Sequence, residues 1–110
     1  MKNYHEVVDD FVKRNHIRTL FDKKSESVVY YFLDVRIALN MNLDKFMDDI
    51  NIKKFIVNGE VEEYITKGSL TLLLMNSKTK YAQEMINILE EFTNPNNRWG
   101  WLYEKYWQYN

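Results

Sequence analysis

The chain has 110 residues, 45% of them hydrophobic and 15% aromatic, which is typical of one domain that buries its own core. It has no cysteine, so disulfides, thiolate catalysis and sulfur-ligated metal are excluded and an intracellular location is favoured. Fifteen basic and sixteen acidic residues give a net charge of −1, which excludes a uniformly basic nucleic-acid-binding domain but not a local basic face. The sequence shows no signal peptide and no apolar run near the ~18 residues that a membrane span needs, so we expect neither export nor a membrane partner.

The amino-terminal third predicts a helix followed by a hairpin. Asn3 and Glu6 form a capping-box pattern, and the apolar residues after them recur at helical spacing as far as Asn15. Two β-rich segments follow, 17–21 and 28–33, with the polar stretch 22–27 between them. We therefore predict one helix and a first β-hairpin.

The segment 34–50 predicts two short helices. Asp34 can cap the first, which reaches Leu39, and Asn42 can cap the second, which reaches Ile50. A helix-turn-helix that inserts the second helix into a DNA groove is one interpretation. Three aspartates on that second helix would face the phosphates, so we favour two small helices that pack apolar residues into the core. The acidic residues are Asp44, Asp48 and Asp49, and the packing residues are Leu39, Phe46 and Ile50.

The second half predicts another hairpin and two or three further helices. Asn58-Gly59 separates the strand candidates 52–57 and 60–65 and supplies the two positive φ angles of a type I′ turn. Gly68-Ser69 is expected to form a break before the apolar run 70–75, and a longer helix is expected from about Lys78 to Phe92. Pro95 ends that helix, and a last aromatic helix covers about 98–109. The fold class is α+β: a single domain over 1–110, with two small β-hairpins packed against four to six short helices.

No constellation with catalytic chemistry is visible. His5 and His16 lie outside any metal-ligand spacing, and the paired carboxylates are expected on solvated faces. The three glycines are scattered, so no phosphate loop exists, and no serine has a local histidine partner. We predict no catalytic residue, no metal and no cofactor, and therefore a protein that works by binding.

Five lysines form the first candidate binding surface. They lie on the second hairpin, just after it and at the start of the long helix, where a β-ribbon and a helix amino terminus together could face phosphates. The alternative is that they only form charge pairs with the acidic residues Glu60, Glu62 and Glu63, and both interpretations stay open. The candidate nucleic-acid-binding residues are Lys53, Lys54, Lys67, Lys78 and Lys80.

The aromatic carboxy-terminal segment is the second candidate surface. It holds more large rings than one helical face can bury, and exposed Trp and Tyr clusters are common at protein interfaces. A helix that is covered on both sides would bury the same rings, so this alternative also stays open. The candidate interface residues are Trp99, Trp101, Tyr103, Tyr106 and Trp107.

Three segments between residues 28 and 92 resemble the Bro-N domain, the amino-terminal DNA-binding module of baculovirus repeated-ORF proteins and phage antirepressors. They are 31–40 (Tyr-Phe-Leu-Asp-Val-Arg-Ile-Ala-Leu-Asn), 64–70 (Tyr-Ile-Thr-Lys-Gly-Ser-Leu) and 73–85 (Leu-Leu-Met-Asn-Ser-Lys-Thr-Lys-Tyr-Ala-Gln-Glu-Met). The chain departs from the family at Ser69, where an apolar residue is usual, and it lacks the family's Trp-containing helix end. The resemblance implies that the five lysines form the DNA face.

Two functions follow as hypotheses. The resemblance implies a viral or phage DNA-binding regulator, antirepressor-like and self-associating as a homo-oligomer. The alternative is a small viral protein that inhibits a host defence or regulatory protein through its aromatic carboxy-terminal helix. Either protein is expected in the host cytoplasm, or in the nucleus if the host is eukaryotic.

Overall fold

The computed structural model describes residues 3–91, and its first element is the predicted amino-terminal helix, α1 (Tyr4–Arg14). The Asn3 side chain caps it, because Asn3 Oδ1 accepts a hydrogen bond from the Glu6 backbone N–H at 2.9 Å. Val7, Val8 and Phe11 recur on one face and are buried. The capping residue and the extent of this helix are confirmed.

The first hairpin is confirmed, but its second strand is shorter than predicted. Strand β1 (Thr19–Asp22) pairs antiparallel with β2 (Ser27–Tyr31). Phe32 and Leu33, which were expected to extend the strand, begin helix α2 (Phe32–Leu39). The change from strand to helix therefore falls inside the apolar run 28–33. Because every residue of this run is apolar, the spacing of its side chains does not show where the strand ends.

The prediction that Asp34 caps α2 is wrong, because Tyr31 holds the capping position and Asp34 lies in the first turn. The Asp34 carboxylate accepts hydrogen bonds from the Arg18 backbone N–H at 2.9 Å and from the Arg18 guanidinium at 3.1 and 3.2 Å. Asp34 thus ties the start of α2 to the residue before β1. Burial alone would raise the pKa of Asp34, but the hydrogen bonds and the positive charge of Arg18 together outweigh it and lower that pKa.

The second of the two predicted short helices is a single 3₁₀ turn, Asp44–Phe46, so the expected α-helix up to Ile50 is wrong. Asn42 does cap a turn, since its Oδ1 accepts from the Asp44 N–H at 2.9 Å. The segment is rich in Asn and Asp, which favour turns over helix interiors. Leu39 and Ile50 are buried and Phe46 packs against the core, as predicted, whereas a second helix for groove insertion does not form.

The second hairpin is confirmed together with its turn. Strands β3 (Ile52–Val57) and β4 (Glu60–Ile65) pair along their whole length. Asn58 and Gly59 join them with φ angles of +51° and +82°, both in the region that this type of turn requires.

Both hairpins belong to one antiparallel sheet with the strand order β1-β2-β4-β3. They meet only where Tyr30 pairs with Ile65 and Tyr31 with Tyr64. Because β2 and β4 join through their carboxy-terminal ends, the two hairpin turns extend in opposite directions from this junction. The turn of the first hairpin therefore extends beyond Ile65, toward the residues that follow β4.

Helix α3 (Lys67–Met75) contains the apolar run 70–75 and begins three residues before it. Thr66 caps it, since Thr66 Oγ1 accepts from the Ser69 N–H at 3.2 Å. Gly68 and Ser69, which were expected to separate the strand from a later apolar run, lie instead in the first turn of α3 and are buried. A strong Thr cap thus outweighs the usual role of Gly as a helix breaker.

Helix α4 (Lys80–Glu91) begins two residues after the predicted start at Lys78. Its packing face includes Tyr81, Met85 and Leu89. The predicted end at Phe92 and the predicted last helix over about 98–109 lie outside the described residues.

One hydrophobic core joins the elements. Tyr30 and Ile65 present one face of the sheet to the helices, and α4 packs on α1 and α3. The α+β fold class is confirmed, with four α-helices and two hairpins in the described part of the chain. Within residues 3–91, no helix is both long enough and apolar enough to cross a membrane.

Candidate nucleic-acid interface

The five candidate lysines do not lie on one surface. Lys53 and Lys67 line one cleft, whereas Lys54 lines a second with Val61 and Glu63. Consecutive residues of a strand point to opposite faces of a sheet, which separates Lys53 from Lys54. Lys78 lines a third cleft, between the ends of α2 and α3, and the Lys80 ammonium lies 5.2 Å from the centre of the Tyr81 ring.

We call the cleft that holds Lys53 and Lys67 the basic cleft. It has a volume of about 380 Å³, and three elements form it: the turn of the first hairpin, the start of β3 and the start of α3, with α1 at its side. The sheet register brings these elements together, because the first hairpin extends past Ile65 toward α3. The residues that line the basic cleft are His5, Ser25, Ser27, Val28, Lys53, Thr66 and Lys67.

Asp22 is the anionic centre beside this cleft and is only 7% exposed. Its carboxylate accepts hydrogen bonds from the Lys53 ammonium at 2.8 Å, the Ser25 hydroxyl at 2.7 Å and the Lys24 backbone N–H at 3.1 Å. The bond from Lys53, followed by that from Ser25, lowers the pKa of Asp22 to about 2. Asp22 is therefore ionised at every physiological pH and holds Lys53 in place.

Lys67 and His5 form a second polar contact in the cleft, with 3.1 Å between Lys67 Nζ and His5 Nδ1. Burial of the ring and the positive charge of Lys67 lower the pKa of His5. A neutral imidazole can accept the hydrogen bond from the ammonium through Nδ1. A protonated His5 and the Lys67 ammonium would repel each other at this distance. The protonation of His5 therefore depends on the charge in the cleft.

Hydroxyl groups complete the basic cleft. The Ser25 and Ser27 oxygens lie 2.7 Å apart at the hairpin turn, and Thr66 Oγ1 donates to Ser69 Oγ at 3.0 Å. Ser69 Oγ also accepts from the Asn51 backbone N–H at 2.7 Å, which anchors the start of β3 to α3. Ser25 donates its proton to Asp22 and Thr66 donates its proton to Ser69, so these hydroxyl groups fix the walls of the cleft. The donors left for a nucleic-acid phosphate are the ammonium groups of Lys53 and Lys67, each of which has three N–H bonds.

None of the family models, curated proteins or solved structures compared with this chain gives a match. Any functional assignment therefore rests on the residues of the chain itself. Within residues 3–91, no group of three His, Asp or Glu side chains is arranged to hold a metal ion.

The sequence-based interpretation missed part of this site. Lys23 and Lys24 precede Ser25, which lines the cleft, and both are exposed, so the turn of the first hairpin carries two further lysines next to the acidic Asp22 and Glu26. The two lysines in this polar hairpin turn could have been identified from the sequence. The contact between His5 and Lys67 could not, because 62 positions separate the two residues.

The second candidate surface lies outside the described residues, and its interface role stays a prediction. Its residues are Trp99, Trp101, Tyr103, Tyr106 and Trp107.

Proposed function

We propose that this protein is a non-enzymatic, antirepressor-like regulator that binds duplex DNA and contacts its phosphates through the basic cleft. The observation that supports the proposal is the convergence of Lys53 and Lys67 in one cleft, although they are far apart in the sequence. Of the five lysines considered for DNA contact, these two carry the proposal. Lys54, Lys78 and Lys80 line other surfaces and are not part of it.

A two-stranded ribbon lies beside the basic cleft. The first hairpin forms one wall of the cleft, and its turn carries Lys23 and Lys24. Two-stranded ribbons can enter the major groove of DNA, and lysines beside such a ribbon contact the flanking phosphates. In this arrangement the turn approaches the groove, while Lys53 and Lys67 bind the adjacent backbone.

The overall charge of −1 limits the affinity that this contact can reach. Non-specific DNA binding depends on the number of phosphates that basic residues neutralise. With two to four lysines available, we expect weak non-specific binding at physiological salt and measurable binding at low salt. Local charge around the cleft, rather than net charge, steers the approach of DNA.

The test compares Lys67, which lines the basic cleft, and Lys24, on the hairpin turn beside it, with lysines on other surfaces. Lys67→Gln and Lys24→Gln should each weaken duplex binding and lower the slope of log affinity against log salt by about 1, the value for one lost phosphate contact. Lys54→Gln and Lys80→Gln remove the same charge elsewhere and should leave both quantities nearly unchanged. Equal losses in all four variants would mean that DNA responds to net charge and not to this cleft.

A further inference from the structure

A second surface, on the opposite side of the sheet junction from the basic cleft, is apolar and exposed. On α2, Leu33 is 49% exposed and Ile37 is 69% exposed. On the second hairpin, Ile56 is 77% exposed and Val61 is 66% exposed. Large aliphatic side chains with this much exposure, when they are neighbours, mark a binding surface.

Three of these residues, Leu33, Ile37 and Val61, line two adjoining clefts, and Ile56 extends the apolar surface beside Val61. Leu33 and Arg36 line a cleft together with Val61 and Lys54, and the same two residues line an adjoining cleft with Ile37. Ile56 is the direct cross-strand partner of Val61, so their side chains lie side by side on the same face. We call this surface the apolar groove and define it by Leu33, Ile37, Ile56 and Val61.

Charged residues border the apolar groove. Arg36 and Lys54 line it, and Glu62 and Glu63 lie on the adjacent strand. A guanidinium or an ammonium beside an apolar surface favours aromatic rings, because it can lie over the face of a Trp or Tyr ring. Trp and Tyr also carry one polar group each, which can bond to a carboxylate at the rim. The groove therefore suits an aromatic segment better than an aliphatic one.

The chain itself contains such a segment. Residues 98–109 include all three tryptophans of the protein together with Tyr103, Tyr106 and Tyr109. We propose that the apolar groove binds residues 98–109 of the same chain. Burial of these rings removes aromatic and aliphatic surface from water at once, which is the usual driving force for such docking.

The length of the intervening chain permits this contact within one molecule. Helix α4 begins just after Lys78, which lines a cleft with the last residues of α2. Its twelve residues rise about 18 Å from that point. Residues 92–98 can span about 23 Å when extended, so the chain after α4 can return to α2.

Tryptophan fluorescence tests the proposal directly, because every tryptophan of the chain lies in the proposed ligand segment and none lies in residues 3–91. In the full-length protein, Ile37→Glu and Val61→Glu should each shift the emission to longer wavelength and increase quenching by acrylamide. Phe21→Glu is the matched control: it introduces the same charge at an apolar residue that is 60% exposed on the other hairpin. That variant should leave emission and quenching unchanged.

The remaining outcomes overturn the proposal in distinguishable ways. Unchanged emission in both groove variants would show that the rings do not contact this surface. An equal shift in the Phe21→Glu control would show a general effect of the added charge. If dilution of the wild-type protein shifts its emission to longer wavelength, the segment docks on a second copy instead. Circular dichroism of each variant checks that the fold is retained, and Ile56→Glu replaces any variant that fails that check.

Discussion

Lys53 and Asp22 join the two edge strands of the sheet, with 2.8 Å between the Lys53 ammonium and the Asp22 carboxylate. Two strands lie between β1 and β3 in the strand order, so the pair closes the curled sheet across its width. The same contact occupies a lysine that we assign to phosphate binding. Asp22 should therefore affect both the stability of the fold and the affinity of the protein for DNA.

The stability consequence depends on pH. The pKa of Asp22 is lowered from 3.8 to about 2, so its contribution to stability is complete above about pH 4 and is lost as the pH falls through 2. Asp22→Asn should reduce the free energy of unfolding at pH 7 and weaken its dependence on pH between 4 and 2. Urea unfolding at several pH values measures both. Asp48→Asn, at an exposed position, is the control, and an Asp22→Asn protein with the full wild-type pH dependence would contradict this role.

Asp22 stabilises the fold but should weaken the binding of DNA. The Asp22 carboxylate holds donors that a phosphate would use, so Asp22→Asn should raise affinity for duplex DNA by about tenfold, the value of one charged hydrogen bond. Glu26→Gln removes the same charge from the same turn without freeing Lys53 and should have a smaller effect. The gain of Asp22→Asn should disappear in a Lys53→Gln background. Equal gains in affinity for Asp22→Asn and Glu26→Gln would show that DNA responds to the loss of a negative charge and not to the release of Lys53.

His5 should make DNA binding depend on pH. Its pKa is lowered in the free protein by burial and by Lys67, and a phosphate bound between them would raise it again. Binding then takes up a proton, so affinity should increase as the pH falls from about 7 toward 5, the range in which histidine titrates. His5→Gln should remove this dependence. His16→Asn should retain it, since Asn tolerates the positive φ of +53° at that position.

The turn of the second hairpin gives a prediction about stability alone. Gly59 has a φ of +82°, and a Cβ atom at this position would meet no other atom within 4 Å. The cost of Gly59→Ala is therefore conformational and should be about 1 kcal/mol in the free energy of unfolding. Gly59→Asn should cost less, because Asn adopts such angles more readily. Chemical denaturation of the two variants distinguishes backbone strain from lost packing.

The local elements were predictable because their signals lie within a few residues. Asn58-Gly59 determines the second turn, and the Asn3 cap with its apolar spacing determines α1. The start of α2 was not predictable, since residues 28–33 are uniformly apolar and a strand and a buried helix share that pattern. Asp34 was misassigned as a cap because its partner, Arg18, is sixteen positions away.

The candidate site was predictable only in part. Sequence showed that lysines gather around the second hairpin, but the separation of Lys53 from Lys54 requires the face of the strand to be known. The partnership of Lys53 with Asp22 spans 31 positions and depends on the order of all four strands. Pairing of distant strands is a tertiary property that local propensity does not contain.

Salt-titrated binding of the wild-type protein to duplex DNA measures how many phosphates its lysines neutralise. If two to four lysines contact phosphates, log affinity should fall linearly with log salt, with a slope of about −2 to −4. Fluorescence anisotropy of a labelled duplex, measured from low to physiological salt, gives that slope. Absence of binding at the lowest salt, or a slope near zero, would contradict the assignment of the basic cleft to DNA.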